Sequence, residues 1–239
     1  METSTWESRH PALLGRLAGA AGLAFVVLAL APGSLGGPQY GTSMSTPQIL
    51  TWVSQHTRNF PVTGYTGALS ASVMAVFVLL LLTAARGHGL LKSIAVSSAG
   101  ALMAIDWVAA GIYYALADAA GRQQATGGIV ALFSLSRSMT YTDGFVTGLA
   151  VLALSLLQFR PHALPRPLIW LGVLAGAYYL VSDPIQLAIN HSPAGATGPV
   201  GVVLFLVWVL AVAAVMLIKP VWNAKLQPAV LATEATPAS

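Results

Sequence analysis

The chain of 239 residues has no cysteine, which excludes disulfides, thiol nucleophiles, cysteine-held zinc, iron–sulfur clusters and covalent c-type haem. Charge is nearly as scarce. Asp, Glu, Lys and Arg make up 8% of the residues, where a soluble domain carries roughly 25%. The net charge of +4 comes without any cluster of five or more Lys and Arg, so no nucleic-acid partner is expected. The five histidines, His10, His56, His88, His162 and His191, include no i,i+4 pair, and neither a metal nor a haem cofactor is expected. A phosphate-cradling glycine loop, a Ser–His–Asp set and a nucleotide fingerprint are also missing.

What the chain has instead is apolar length. Residues 17–57, 59–85, 144–159 and 184–218 are free of Asp, Glu, Lys and Arg, and about 20 mostly apolar residues suffice to span a bilayer. The pattern predicts an all-α, polytopic transmembrane bundle with spans near 13–31, 66–85, 93–117, 140–159, 167–183 and 199–218. Arg9 and Arg16 before the first apolar run resemble a signal peptide, but Pro32 after Ala29-Leu30-Ala31 disfavours cleavage, so a retained first helix is expected. With six spans both termini share one side. Placing that side in the cytoplasm leaves Arg9, Arg16, Arg86, Lys92, Arg160, Arg166, Lys219 and Lys225 inside and only Arg58, Arg122 and Arg137 outside. The expected location is therefore the cytoplasmic membrane, with the lipid bilayer as partner. Nothing in the sequence sets an oligomeric state.

One domain, 1–225, is expected, followed by a disordered tail at 226–239. Within it the outer loop 32–65 contains Ser45-Thr46-Pro47, a helix-start signal, ahead of a short interfacial helix reaching about Arg58. That helix reads either as a lid over a pocket or as an interfacial anchor through Trp52. Residues 126–135 are apolar up to Arg137, and read either as a separate outer segment or as the start of a long helix.

Four acids fall in or beside the spans: Asp106, Asp118, Asp143 and Asp183. A charge at mid-bilayer costs about 2.5–3.5 kcal/mol even on lenient scales, so such residues face partners, water or functional cavities. Asp106 lies about 20 Å into its helix at about 1.5 Å per residue, with Tyr113 seven residues further on the same face. A carboxyl carried neutral at such a depth is the candidate catalytic acid. Asp143 has Thr140 and Thr147 as near neighbours on its face, and Asp183 has Tyr179. Together with Trp107 and Tyr141 these residues outline an outward-opening, aromatic-lined pocket: Asp143, Asp183, Tyr113, Tyr179, Trp107 and Tyr141 as ligand-binding, Asp106 as acid. Each acid has a structural account too: a solvated helix end for Asp118, a helix stop before Pro184 for Asp183, an ion pair with Arg137 or another outer arginine for Asp143. The pairs Gly15/Gly19, Gly144/Gly148 and Gly172/Gly176 read as close helix contacts within one chain.

The stretch from Thr142 to Asp183 resembles the bacterial membrane proteins grouped as domain-of-unknown-function family 4386. The residues that carry the likeness are Asp143-Gly144-Phe145, the turn Leu164-Pro165-Arg166, Leu171-Gly172, Gly176 with Tyr178 or Tyr179, and Asp183. The resemblance implies an integral membrane fold and no particular activity. Three functions are then expected in this order: a binder of a lipophilic or amphipathic small molecule, a membrane-embedded acid-catalysed cyclase or isomerase of an isoprenoid-like substrate, and a proton-coupled permease or exporter.

Overall fold

The computed structural model describes residues 11–31, 44–85, 89–122, 126–159, 164–190 and 198–218, all helical apart from short turns and ends, with no strand among them. The helices are α1 (Pro11–Ala29), α2 (Thr46–His56), α3 (Phe60–Ala85), α4 (Leu90–Gly121), α5 (Thr126–Leu157), α6 (Arg166–Asn190) and α7 (Gly198–Ile218). The tail expected to be disordered and the first part of the outer loop lie outside the described residues.

Five helices, α1, α3, α4, α5 and α7, are long and apolar enough to cross a membrane, and α6 carries a shorter apolar stretch, Arg166–Ser182. Each long helix packs on its chain neighbours, and α7 returns to α1, so the long helices close a ring. Short connections between α3 and α4, α4 and α5, α5 and α6, and α6 and α7 produce most of this up-and-down order, because a few residues can only link the near ends of antiparallel helices. The start of α1 and the end of α7 share one end of the bundle, as Gly19 lies against Ala213 and Leu217. At the same end Gly89, with φ 84°, makes the turn into α4, a backbone conformation that suits a residue without Cβ.

The middle of the ring is filled. Phe77 of α3 meets Trp208 of α7 edge-on with centroids 6.5 Å apart, and Met74, Val78, Val151, Leu154 and Val212 bury themselves around them. Further along, Phe25 of α1 and Tyr179 of α6 both pack edge-on against Phe205 of α7, at 5.5 and 6.2 Å.

Several expected boundaries are corrected. The fourth long helix starts at Thr126 rather than 140, so the apolar stretch before Arg137 belongs to one continuous helix of 32 residues. α3 begins at Phe60, six residues before the expected 66. α6 continues through Pro184 to Asn190, so Asp183 does not stop it; a proline inside a helix is tolerated in apolar surroundings when its freed carbonyl is satisfied elsewhere. α4 and α5, each of 32 residues, reach about 48 Å at 1.5 Å per residue, well beyond a hydrocarbon core of about 30 Å. The surplus forms a hairpin above the other helices, and α2 packs on that hairpin.

Gly19, Gly148, Gly172 and Gly176 make close helix contacts within the chain. A Cβ on Gly148 would stand 2.9 Å from both the Gly176 carbonyl oxygen and Tyr179 Cβ, and one on Gly176 would stand 2.8 Å from the Leu152 backbone nitrogen. Gly67 and Gly100, by contrast, have nothing within 4 Å of that point. Gly148→Ala should therefore lower stability by about 1–3 kcal/mol through overpacking. Gly100→Ala should be neutral or stabilising by up to about 1 kcal/mol, since alanine is the better helix former. Unfolding in detergent micelles followed by circular dichroism separates the two.

Candidate functional site

The end of the bundle opposite Gly89 is built by α2, α4 and α5. Ser45 starts α2: its backbone N–H donates to Gln48 Oε1 at 2.8 Å, and its hydroxyl donates to the same oxygen at 3.0 Å. Ile49 and Val53, four residues apart on the inner face of α2, are buried against Leu116 and Ala119 of α4 and Ile129 and Phe133 of α5. Trp52 is half-buried, stacked on His56 at 4.3 Å and leaning on Phe60 at 5.5 Å and Phe133 at 5.8 Å. The Trp52 ring is thus engaged by protein, and α2 is a cap seated on the hairpin. His56 Nδ1 lies 2.8 Å from the Trp52 carbonyl, which requires Nδ1 to carry the hydrogen.

Below this cap, the inward stripe of α4 runs through Ala95, Ala99, Leu102, Ala110 and Leu116. Asp106 and Tyr113 fall on it at the same three-to-four spacing, and both are half-buried. Asp106 forms no ion pair among the described residues. Tyr113 stacks on Phe60 at 6.0 Å and 15°, which joins it to the cap.

Backbone register decides which positions share a level with Asp106. The hairpin connection between Gly121 and Thr126 is short, so a residue 15 before Gly121 stands opposite one 15 after Thr126: position 106 faces the level of position 141. On the next pair, Gly148 lies against Gly176 and Tyr179, so Asp143, five residues earlier on α5, is level with the turn of α6 that carries position 183. The fold brings backbone positions 106, 143 and 183 to one level of the bundle. The side chains of Tyr141 and Asp183 lie outside the described residues. Asp143 is half-buried with Oδ1 closed to solvent.

Other expected members sit elsewhere. Trp107, one residue and so about 100° round the helix from Asp106, is 53% exposed and donates its Nε1–H to Ser72 Oγ of α3 at 3.1 Å. It belongs to the outer rim of the α3–α4 contact. Tyr179 lies between α5 and α7, against Gly148 and Phe205, one turn before position 183. The Thr140 hydroxyl donates to the Ser136 carbonyl of its own helix at 3.3 Å, and Arg137, half-buried, makes no ion pair among the described residues. The expected Asp143–Arg137 pair is therefore not formed. Asp118 is the solvated helix end it was read as: Arg122 Nε donates to its Oδ1 at 2.7 Å, with both side chains largely exposed. The aromatic cap joins Trp52 and Phe60 to Phe133, which lies more than 70 residues further along the chain and carries no sequence signal linking it to them. No group of three or more His, Asp or Glu among the described residues has the geometry to hold a metal ion.

The fold defines a multi-pass helical membrane protein. No family model matches the chain, and no curated protein or solved structure matches it either.

An exposed i,i+4 pair adds little to stability. Asp118→Asn should change unfolding free energy by less than about 0.5 kcal/mol, measured by the same micelle unfolding and repeated at high salt, where the difference should vanish.

Proposed function

We propose that this chain is a six-span protein of the cytoplasmic membrane, akin to the family it resembles, that holds a lipophilic or amphipathic small molecule in its outer half between α4, α5 and α6, beneath α2. The observation that carries this reading is the position of Asp106. It lies on the inward stripe of α4, half-buried, at the level where register sets positions 143 and 183. An acidic side chain among apolar walls is costly unless it meets a polar partner. An amphipathic molecule supplies one: its hydroxyl or amine head meets the acids, and its apolar body takes the place of lipid between the helices.

The geometry gives less to the other readings. An acid-catalysed cyclase needs open aromatic faces around a developing cation, but the Phe60 and Tyr113 rings cover each other and Trp107 turns outward. A permease needs a path along the bundle, and Phe77, Met74 and Trp208 fill its middle.

The test is solvent extraction of the protein purified in mild detergent, with mass spectrometry of what is released. The wild type should carry a specific molecule, and Asp106→Leu should retain at least about tenfold less, equivalent to about 1.4 kcal/mol, with unfolding otherwise preserved. Wild-type preparations that carry only bulk lipid, in the same proportions as the variant, would sink the proposal.

The orientation is tested separately, and the natural absence of cysteine makes this direct. Ser45→Cys, at the α2 end, should react with a membrane-impermeant thiol reagent on intact cells, and Lys92→Cys, at the opposite end, only after permeabilisation. The reverse pattern would invert the topology.

A further inference from the structure

At the bundle end opposite α2, the last turn of α5 closes in apolar surroundings. Gln158 N–H donates to the Ser155 carbonyl at 3.1 Å, and Phe159 N–H donates to the Leu156 carbonyl at 3.3 Å. The side chains of Ser155 and Gln158, three residues apart and so on one face of this turn, are 0% and 1% exposed. Ser155 Oγ, Gln158 Oε1 and Gln158 Nε2 find no hydrogen-bond partner among the described residues. Ser155 Oγ and the indole nitrogen of Trp208 both border the space that a side chain on Gly172 would occupy. The indole N–H is committed to the Leu168 carbonyl at 3.1 Å, so it does not serve the hydroxyl. Leu154, Leu157 and Ile169 are buried nearby on the same helices.

Buried polar atoms in folded proteins are almost always paired, and three together on one turn call for a common partner. The chemistry selects it. A cation would satisfy only the two oxygens, and an anion only the amide hydrogens and the hydroxyl. Water donates and accepts, and is small enough for a site closed to solvent.

We propose that Ser155 and Gln158 form an internal hydration site in which enclosed water bonds the hydroxyl and the amide at the end of α5, where α6 and α7 close over it. The site lies 15 residues along α5 from Asp143, about 22 Å away, and its existence does not depend on the ligand reading above. Water held there satisfies the amide and the hydroxyl at once and removes the cost of burying the two side chains without partners.

Radiolytic hydroxyl-radical footprinting of the purified full-length protein tests this, because radicals generated from a bound water oxidise the side chains beside it even where bulk solvent does not reach. Trp208 and Met74 are both wholly buried and both oxidise readily, but Met74 sits among apolar side chains. Trp208 should be modified several-fold faster than Met74, and in the double variant Ser155→Ala/Gln158→Leu its rate should fall to that of Met74. Equal protection of the two residues in the wild type, or labelling of Trp208 that the double variant leaves unchanged, overturns the proposal. Ser155→Ala alone, a change of one hydroxyl, gives the same reading should the double variant not fold. Thermal unfolding adds an independent sign. Gln158→Leu lowers the melting temperature if the amide is hydrated, and raises it if the amide is merely buried without a partner.

Discussion

A polar group carried into a bilayer has no bulk water to bond to, and most of this molecule follows from that. Backbone amides must be satisfied within each segment, so the apolar runs become helices. Side chains obey the same rule. Hydroxyls along the helices turn back to their own carbonyls, as Ser72, Thr83 and Thr142 do with Ala68, Leu79 and Ser138, and Trp107 reaches sideways for Ser72. Against this background a polar atom with an unusual setting stands out, and the described residues hold two such places. One is the acidic level around Asp106 toward the α2 end, and the other is the Ser155–Gln158 turn at the opposite end.

Apolar segments gain little by leaving lipid for one another, so their association rests on close packing. The glycines make that possible: Gly148 and Gly176 bring α5 and α6 into backbone contact, Gly172 admits Trp208, and Gly19 admits the end of α7. The large rings then fill what remains, with Phe77 and Trp208 at the centre. A filled centre moves any binding volume off the axis, which is why the proposed function rests on the half beneath α2.

The helical class, the apolar runs and the glycine contacts were legible because each depends on local composition or on spacing along one helix. Ser45-Thr46-Pro47 announced α2 for the same reason. The full length of α5 was not legible. Arg137 interrupts its hydropathy, yet α5 packs along α4 and its helix runs unbroken from Thr126 to Leu157. Trp107 was misjudged as a pocket residue because one step along a helix turns a side chain by about 100°, and only the packing partner, Ser72, reveals which way it faces. Gln158 lies inside the charge-free run 144–159, and nothing local sets its side chain apart. Its burial depends on α6 and α7, which arrive later in the chain.

The sequence by itself determined that this is a cysteine-free helical membrane chain, and that four aspartates must be accommodated in or beside its apolar segments. These are statements about transfer from water, and transfer is set by residue type. Tertiary structure alone decided that the helices close a ring with a filled centre, that α2 sits on the hairpin through Val53 and Trp52, and that positions 106, 143 and 183 share a level. Register and rotation between helices come from the fit of side chains into one another, as where Gly148 meets Gly176, and that fit involves residues far apart in the chain whose partners no local pattern specifies.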